Sequence, residues 1–152
     1  MGIKIIETEH PMKWYRFAVY FQLFAFAVLY VVQGTLHLQG FVMGFGTAET
    51  MIAKYPALKT VEIVLAILGF LIAVLCVIAR QLLWYFKAWG PKVYLLVMAL
   101  CGLYNFICNG LASLVIGLPV FTQYDIASVI STIFIVIACR TYFANRADLF
   151  VE

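Results

Sequence analysis

TVEIVLAILGFLIAVLCVIA, residues 60–79, is the stretch on which the fold turns. It lies between Lys59 and Arg80 and carries one charge, Glu62, in a first turn where the helix dipole favours a carboxylate. At about 1.5 Å per residue such a run reaches about 30 Å, the thickness of a hydrocarbon core. It reads as a membrane-spanning helix.

Three more spans flank it. Residues 17–38 hold no formal charge between Arg16 and Glu49, and this run is too long and too aromatic for a cleaved signal peptide, so it is expected to stay in the mature chain. Residues 93–118 follow Gly90 and Pro91, with Pro91 suited to a first helical turn, and Pro119 stops the run. The fourth is shorter: only residues 126–139 are free of charge, a length that also suits a re-entrant or interfacial segment. Thr122, followed three residues later by Asp125, has the form of a helix start, which extends the fourth helix to residues 123–144 with Arg140 snorkelling to the interface. The expectation is therefore all-α: a polytopic membrane four-helix bundle, one domain over residues 1–152.

Composition agrees. Of the 152 residues 66% are hydrophobic and 11% charged, against about 45–50% and about 25% in an ordinary soluble domain, which excludes a water-facing exterior. A cytoplasmic N-terminus places Lys4, Lys13, Arg16, Arg80, Lys87, Lys92, Arg140 and Arg146 inside and leaves only Lys54 and Lys59 outside. Both termini are then cytoplasmic. Trp14, Tyr15, Trp84, Tyr85, Phe86, Trp89, Tyr142 and Phe143 fall at the same inner interface, where amphipathic rings anchor.

The external connection, residues 39–59, starts with Gly40, Gly44 and Gly46 and holds a short helix over residues 47–55, which either lies on the outer surface or caps the bundle. Gly40 and Gly44 sit past the first span, where a GxxxG pair has no helix to pack. The inner connection, residues 80–92, is basic and aromatic; the lipid bilayer explains it better than nucleic acid, for which no motif is present.

Polar residues within the spans carry the functional question, because in hydrocarbon they are costly. On the third span Asn105, Asn109 and Ser113 recur at four-residue spacing, with Gly102 and Gly117 near the same stripe as helix-packing residues. Gln33 and His37 are four apart on the first span, and Gln22 stands alone nearer the inside. Depth places Gln33, His37, Glu62, Asn109, Ser113, Asp125 and Ser131 in the outer half. Close packing through interhelical hydrogen bonds is the first reading of these residues, and their common depth also admits an outward-open polar pocket built on Gln33, His37, Glu62, Asn105, Asn109 and Ser113. One His among scattered carboxylates lacks metal-ligand spacing, so no metal and no cofactor is expected. Cys76, Cys101, Cys108 and Cys139 form no Cys-x-x-Cys pair and read as small buried hydrophobes, although Cys76, Cys101 and Cys139 lie at similar depth and admit a thiol cluster. No Gly-x-Ser-x-Gly, Walker loop, His-Glu-x-x-His or nucleotide fingerprint occurs, and Ser113, Ser128 and Ser131 have no base placed beside them. No catalytic residue is assigned.

The stretches KWYRFAVYFQLFAFAVLY (13–30), YPALKTVEIVLAIL (55–68), RQLLWYFKAWGPK (80–92) and CRTYFANRADLFVE (139–152) resemble those of a group of small four-span membrane proteins of anaerobic gut Firmicutes. The resemblance implies a bacterial inner-membrane location, an acidic residue at the position of Glu62, and an ordered cytoplasmic cap from residue 142 onward. It assigns no catalytic or binding residue.

Three functions remain, in order of support. The first is a non-enzymatic packing or partner-binding component of a membrane assembly, its partner a second copy or another membrane protein. The second is a small oligomeric channel or transporter with an outward-facing polar pocket. The third is an intramembrane enzyme using His37 and Glu62 or the thiols.

Overall fold

A computed structural model of the chain describes residues 12–40 and 52–150. Among the described residues every regular element is helical. Four helices are long and apolar enough to cross a membrane: α1 (Lys13–Leu38), α2 (Leu58–Trp84), α3 (Gly90–Ile116) and α4 (Gln123–Ala144), followed by a 3-10 turn at Ala147–Leu149. Lys4, His10, Gly44, Gly46, Glu49 and the first part of the expected loop helix lie outside the described residues, while residues 52–54 are helical.

Consecutive helices run antiparallel and pack in chain order, α1 on α2 most extensively, then α2 on α3 and α3 on α4. Glycine sets the first of these contacts. A Cβ on Gly69 would stand 3.2 Å from the Tyr30 carbonyl oxygen and 3.3 Å from the Gly34 Cα, and one on Gly34 would meet the Ala66 carbonyl oxygen at 3.1 Å. Two glycines on different helices thus let the backbones touch, as small residues do where no hydrophobic force draws helices together. At the α3–α4 crossing a Cβ on Gly102 would clash with the Thr132 side chain, and Ser128 Oγ donates to the Gly102 carbonyl at 2.7 Å.

The ends of the helices depart from the sequence expectation in informative ways. α2 continues past Ala79 to Trp84 because Arg80 does not have to leave the helix: its Nε donates to the Val19 carbonyl of α1 at 3.1 Å and its guanidinium lies over the Trp84 ring. α2 then closes with Lys87 N–H bonded to the Leu82 carbonyl and Phe86 N–H to the Leu83 carbonyl, which places Phe86 in the left-handed region at φ 51°. A Phe in a position that favours glycine is held by its neighbours, Tyr15 stacked at 5.2 Å and Phe150 at 5.8 Å. α3 stops at Ile116, two residues short of expectation. Gly117 there is at φ +75° with no atom within 4 Å of a would-be Cβ, so it terminates α3 and does not pack helices. α4 begins with a complete capping box between Thr122 and Asp125 and covers the expected residues.

After its first five residues, Lys13–Phe17, α1 widens into a π-helical turn at Ala18–Gln22, in which Leu23 N–H bonds to the Ala18 carbonyl. The wider turn brings Ala18, Val19, Gln22 and Leu23 all inward. At this end the core is aromatic: Tyr15, Tyr94, Phe143 and Phe150 are buried, and Tyr15 hydroxyl donates to the Leu83 carbonyl. The tail through Phe150 is therefore packed against α1 and the α2–α3 turn. Gly69→Leu is expected to force α1 and α2 apart at a cost of about 1–3 kcal/mol, read as a lower unfolding midpoint in detergent micelles.

Candidate functional site

Most of the buried polar residues of the spans fall into bonded groups. His37, on the last turn of α1, points its Nδ1 at Glu62 Oε2 of α2 at 2.5 Å, and both side chains are about 95% buried. The pair is placed by the Gly34–Gly69 contact, one turn along α1 and two along α2, which brings the two helices close enough for a direct bond. Over it lies Tyr104 of α3, its ring centroid 6.1 Å from that of His37. Tyr104 hydroxyl donates to the Leu65 carbonyl at 3.1 Å, and Tyr30 meets the Tyr104 ring edge-on at 5.2 Å while donating to the Cys101 carbonyl at 2.9 Å. Both tyrosines thus tie one helix to the backbone of another.

Beyond Tyr104 and the neighbouring Cys108 lies a second pair. Asn109 Nδ2 donates to both carboxylate oxygens of Asp125 at 2.9 Å, and Asp125 also accepts from the Thr122 N–H at 2.7 Å and the Thr122 hydroxyl at 2.8 Å. Ser113 Oγ donates to the Asn109 carbonyl at 2.6 Å and accepts the Val120 N–H at 2.9 Å, which fixes the α3–α4 turn. These bonds anchor the start of α4.

The six residues expected to line one open pocket are therefore distributed differently. His37 and Glu62 are shut within the α1–α2 contact; Asn109 is bonded to Asp125, and Ser113 to the Asn109 carbonyl; Gln33 is half-buried one turn from His37. Asn105 is exposed. This is the largest correction to the expected polar face. Met98 and Ala112, seven residues before and after Asn105 on the same stripe of α3, are buried at 7% and 5% exposure, so the cover over that stripe opens at Asn105. No hydrogen bond reaches its amide among the described residues.

Gln22 does not stand alone: it accepts from Tyr94 hydroxyl at 2.7 Å and donates to Met98 Sδ at 3.6 Å. The cysteines are all free, with Cys76 beside Cys101, Cys139 beside Tyr94 and Cys108 beside Tyr104. Among the described residues no group of three or more His, Cys, Asp or Glu side chains is arranged to hold a metal ion. Sequence reasoning missed Tyr30, Tyr104 and Tyr94, which bind other helices through their hydroxyls; the only signal was the presence of tyrosine deep in a span, where a hydroxyl needs a partner.

A groove of about 390 Å³ runs between α1 and α2 on another side, lined only by apolar groups from Ala27 and Val31 to Phe70 and Val77. It offers no polar recognition. Comparison with family models, with curated proteins and with solved structures finds no match to this chain.

Removing the carboxylate of Asp125 deletes a helix cap and strands the Asn109 amide. Asp125→Ala is expected to lower unfolding stability by about 1–3 kcal/mol, measured in detergent against the native chain.

Proposed function

We propose that this chain is a multi-pass protein of a bacterial inner membrane, a four-helix bundle with both termini in the cytoplasm, that serves as a non-enzymatic partner-binding component of a membrane assembly. Support for the membrane comes from four apolar helices whose lipid-sized lengths leave side chains such as Phe21, Phe24, Ile67, Phe134 and Ile137 exposed on the outside. Support for the orientation comes from the cations: Lys13, Arg16, Lys87, Lys92 and Arg140 are exposed at the end that holds the α2–α3 turn and the tail, whereas Lys54 and Lys59 are at the other.

The single observation behind the partner-binding role is Asn105. An amide halfway along an apolar helix, exposed and without a hydrogen bond among the described residues, costs free energy in hydrocarbon and is retained where another protein surface takes it up. Interhelical bonds of that kind contribute about 0.6–2 kcal/mol each in membranes, enough to bias which helix docks. A second reading, a small oligomeric channel or transporter, draws on the buried His37–Glu62 pair and would have the same amide facing water in a crevice.

The two readings part on one substitution. Asn105→Leu is expected to convert a stoichiometric complex, seen by mass measurement of the protein in mild detergent, to the single chain, with the unfolding midpoint of the chain unchanged. A native chain that is already single under those conditions, or a complex indifferent to Asn105→Leu, overturns the partner-binding reading. A reporter fused after Glu152 is expected to read as cytoplasmic.

A further inference from the structure

His37 keeps one ring nitrogen without a partner. Nε2 is buried, the residue is only 4% exposed, and among the described residues no hydrogen bond reaches that atom. The hydroxyl of Tyr104, whose ring lies beside His37, is committed to the Leu65 carbonyl, and that of Tyr30, edge-on to Tyr104, to the Cys101 carbonyl. Nδ1, in contrast, makes a short contact with Glu62 Oε2 at 2.5 Å.

Proton counting shows what this asymmetry does. The pair is net neutral either as imidazolium with carboxylate or as imidazole with carboxylic acid, and in both forms Nε2 carries a hydrogen. Removing one proton leaves Nδ1–H on the carboxylate, a net charge of minus one, and a bare lone pair on Nε2. One proton taken from water therefore neutralises the buried pair and turns Nε2 from acceptor to donor. Low polarity around the pair makes the two charge states differ strongly in their demands on the surroundings, and burial of an ionisable pair in a span is expensive unless it is used.

We propose that His37 and Glu62 together form a proton-binding site near the α1–α2 loop end, taking up and releasing one proton as a unit, with Nε2 as the atom that reports its state to α3. The groups facing it from each neighbouring element are few. α3 contributes Tyr104 and Cys108; α1 contributes Tyr30, behind Tyr104; α2 carries Lys59, exposed one turn before Glu62; and α4 contributes Asp125, already held by Asn109 and Thr122. No second histidine is near among the described residues, so the titration belongs to this pair. The chemistry is proton transfer alone: no bond other than N–H or O–H forms or breaks, and the proton is exchanged with water.

The test uses the full chain with ¹⁵N-labelled histidine in lipid nanodiscs, carrying His10→Gln so that His37 is the one histidine observed. Between about pH 4 and about pH 10 the Nε2 resonance is expected to pass reversibly, in one step, from the position of a protonated ring nitrogen to that of a bare one, while Nδ1 keeps its hydrogen. Glu62→Gln leaves His37 without the other half of the pair, and the transition is expected to lose its native form, with the hydrogen no longer retained on Nδ1 throughout. An Nε2 resonance unchanged over that range, or a transition that keeps its native form in Glu62→Gln, overturns the proposal. Should Glu62→Gln fail to fold, the native titration decides alone, because a proton site must titrate and a purely structural bond need not.

Discussion

A hydroxyl, guanidinium or carboxylate within hydrocarbon has no water to bond, and so must find its partner within protein. In this chain the partner is repeatedly the backbone of a neighbouring helix. Tyr30 donates to the Cys101 carbonyl, Tyr104 to Leu65, Arg80 to Val19 and Ser128 to Gly102, and each of these bonds joins two different helices. Carbonyls already used within a helix accept a second bond without loss, which makes them available wherever two helices come close. Apolar packing alone would leave helices free to slide, since lipid tails are as apolar as the side chains they compete with. Directional bonds from a few side chains fix the register.

Close approach is the other half of that arrangement. The Gly34–Gly69 contact brings α1 and α2 together, and within a turn or two of it the His37–Glu62 bond becomes geometrically possible. Gly102 performs the same service between α3 and α4, where Ser128 and Thr132 crowd its face. Ser128 shows why polar bond and small residue occur together: so short a side chain reaches the Gly102 carbonyl only where the two helices come close. The π-helical turn at Ala18–Gln22 adds a local adjustment at the other end of α1, turning Gln22 toward Tyr94 and Met98.

The spans were legible because they depend on local properties: a charge-free run of sufficient length, or the Thr122 and Asp125 spacing that starts α4 at Gln123. Where an end depended on another helix it was not legible. Arg80 looked like a boundary, and only the Val19 carbonyl across the α1–α2 contact explains why α2 runs on to Trp84. Of the site, the residue types and their common depth could be read, which brought His37, Glu62, Asn109 and Asp125 into view. Their pairing could not, because it rests on Gly34 meeting Gly69 and Gly102 meeting Thr132, contacts between isolated residues far apart in sequence that leave no periodic trace. Gly117 was misread for the opposite reason: it shared a stripe with packing residues, yet a helix that ends there needs its left-handed backbone more than its small size.

Among the described residues His37 Nε2 and the Asn105 amide escape the general pairing in different ways. His37 Nε2 is covered by its own chain, so whatever satisfies it must be as small as a proton or must wait for the chain to open. Asn105 is uncovered, with Met98 and Ala112 buried above and below it on its stripe. A single pocket would have required both to face the same space. Tyr104 stands between the two behaviours, its ring against His37 and its own position one residue from Asn105 on α3.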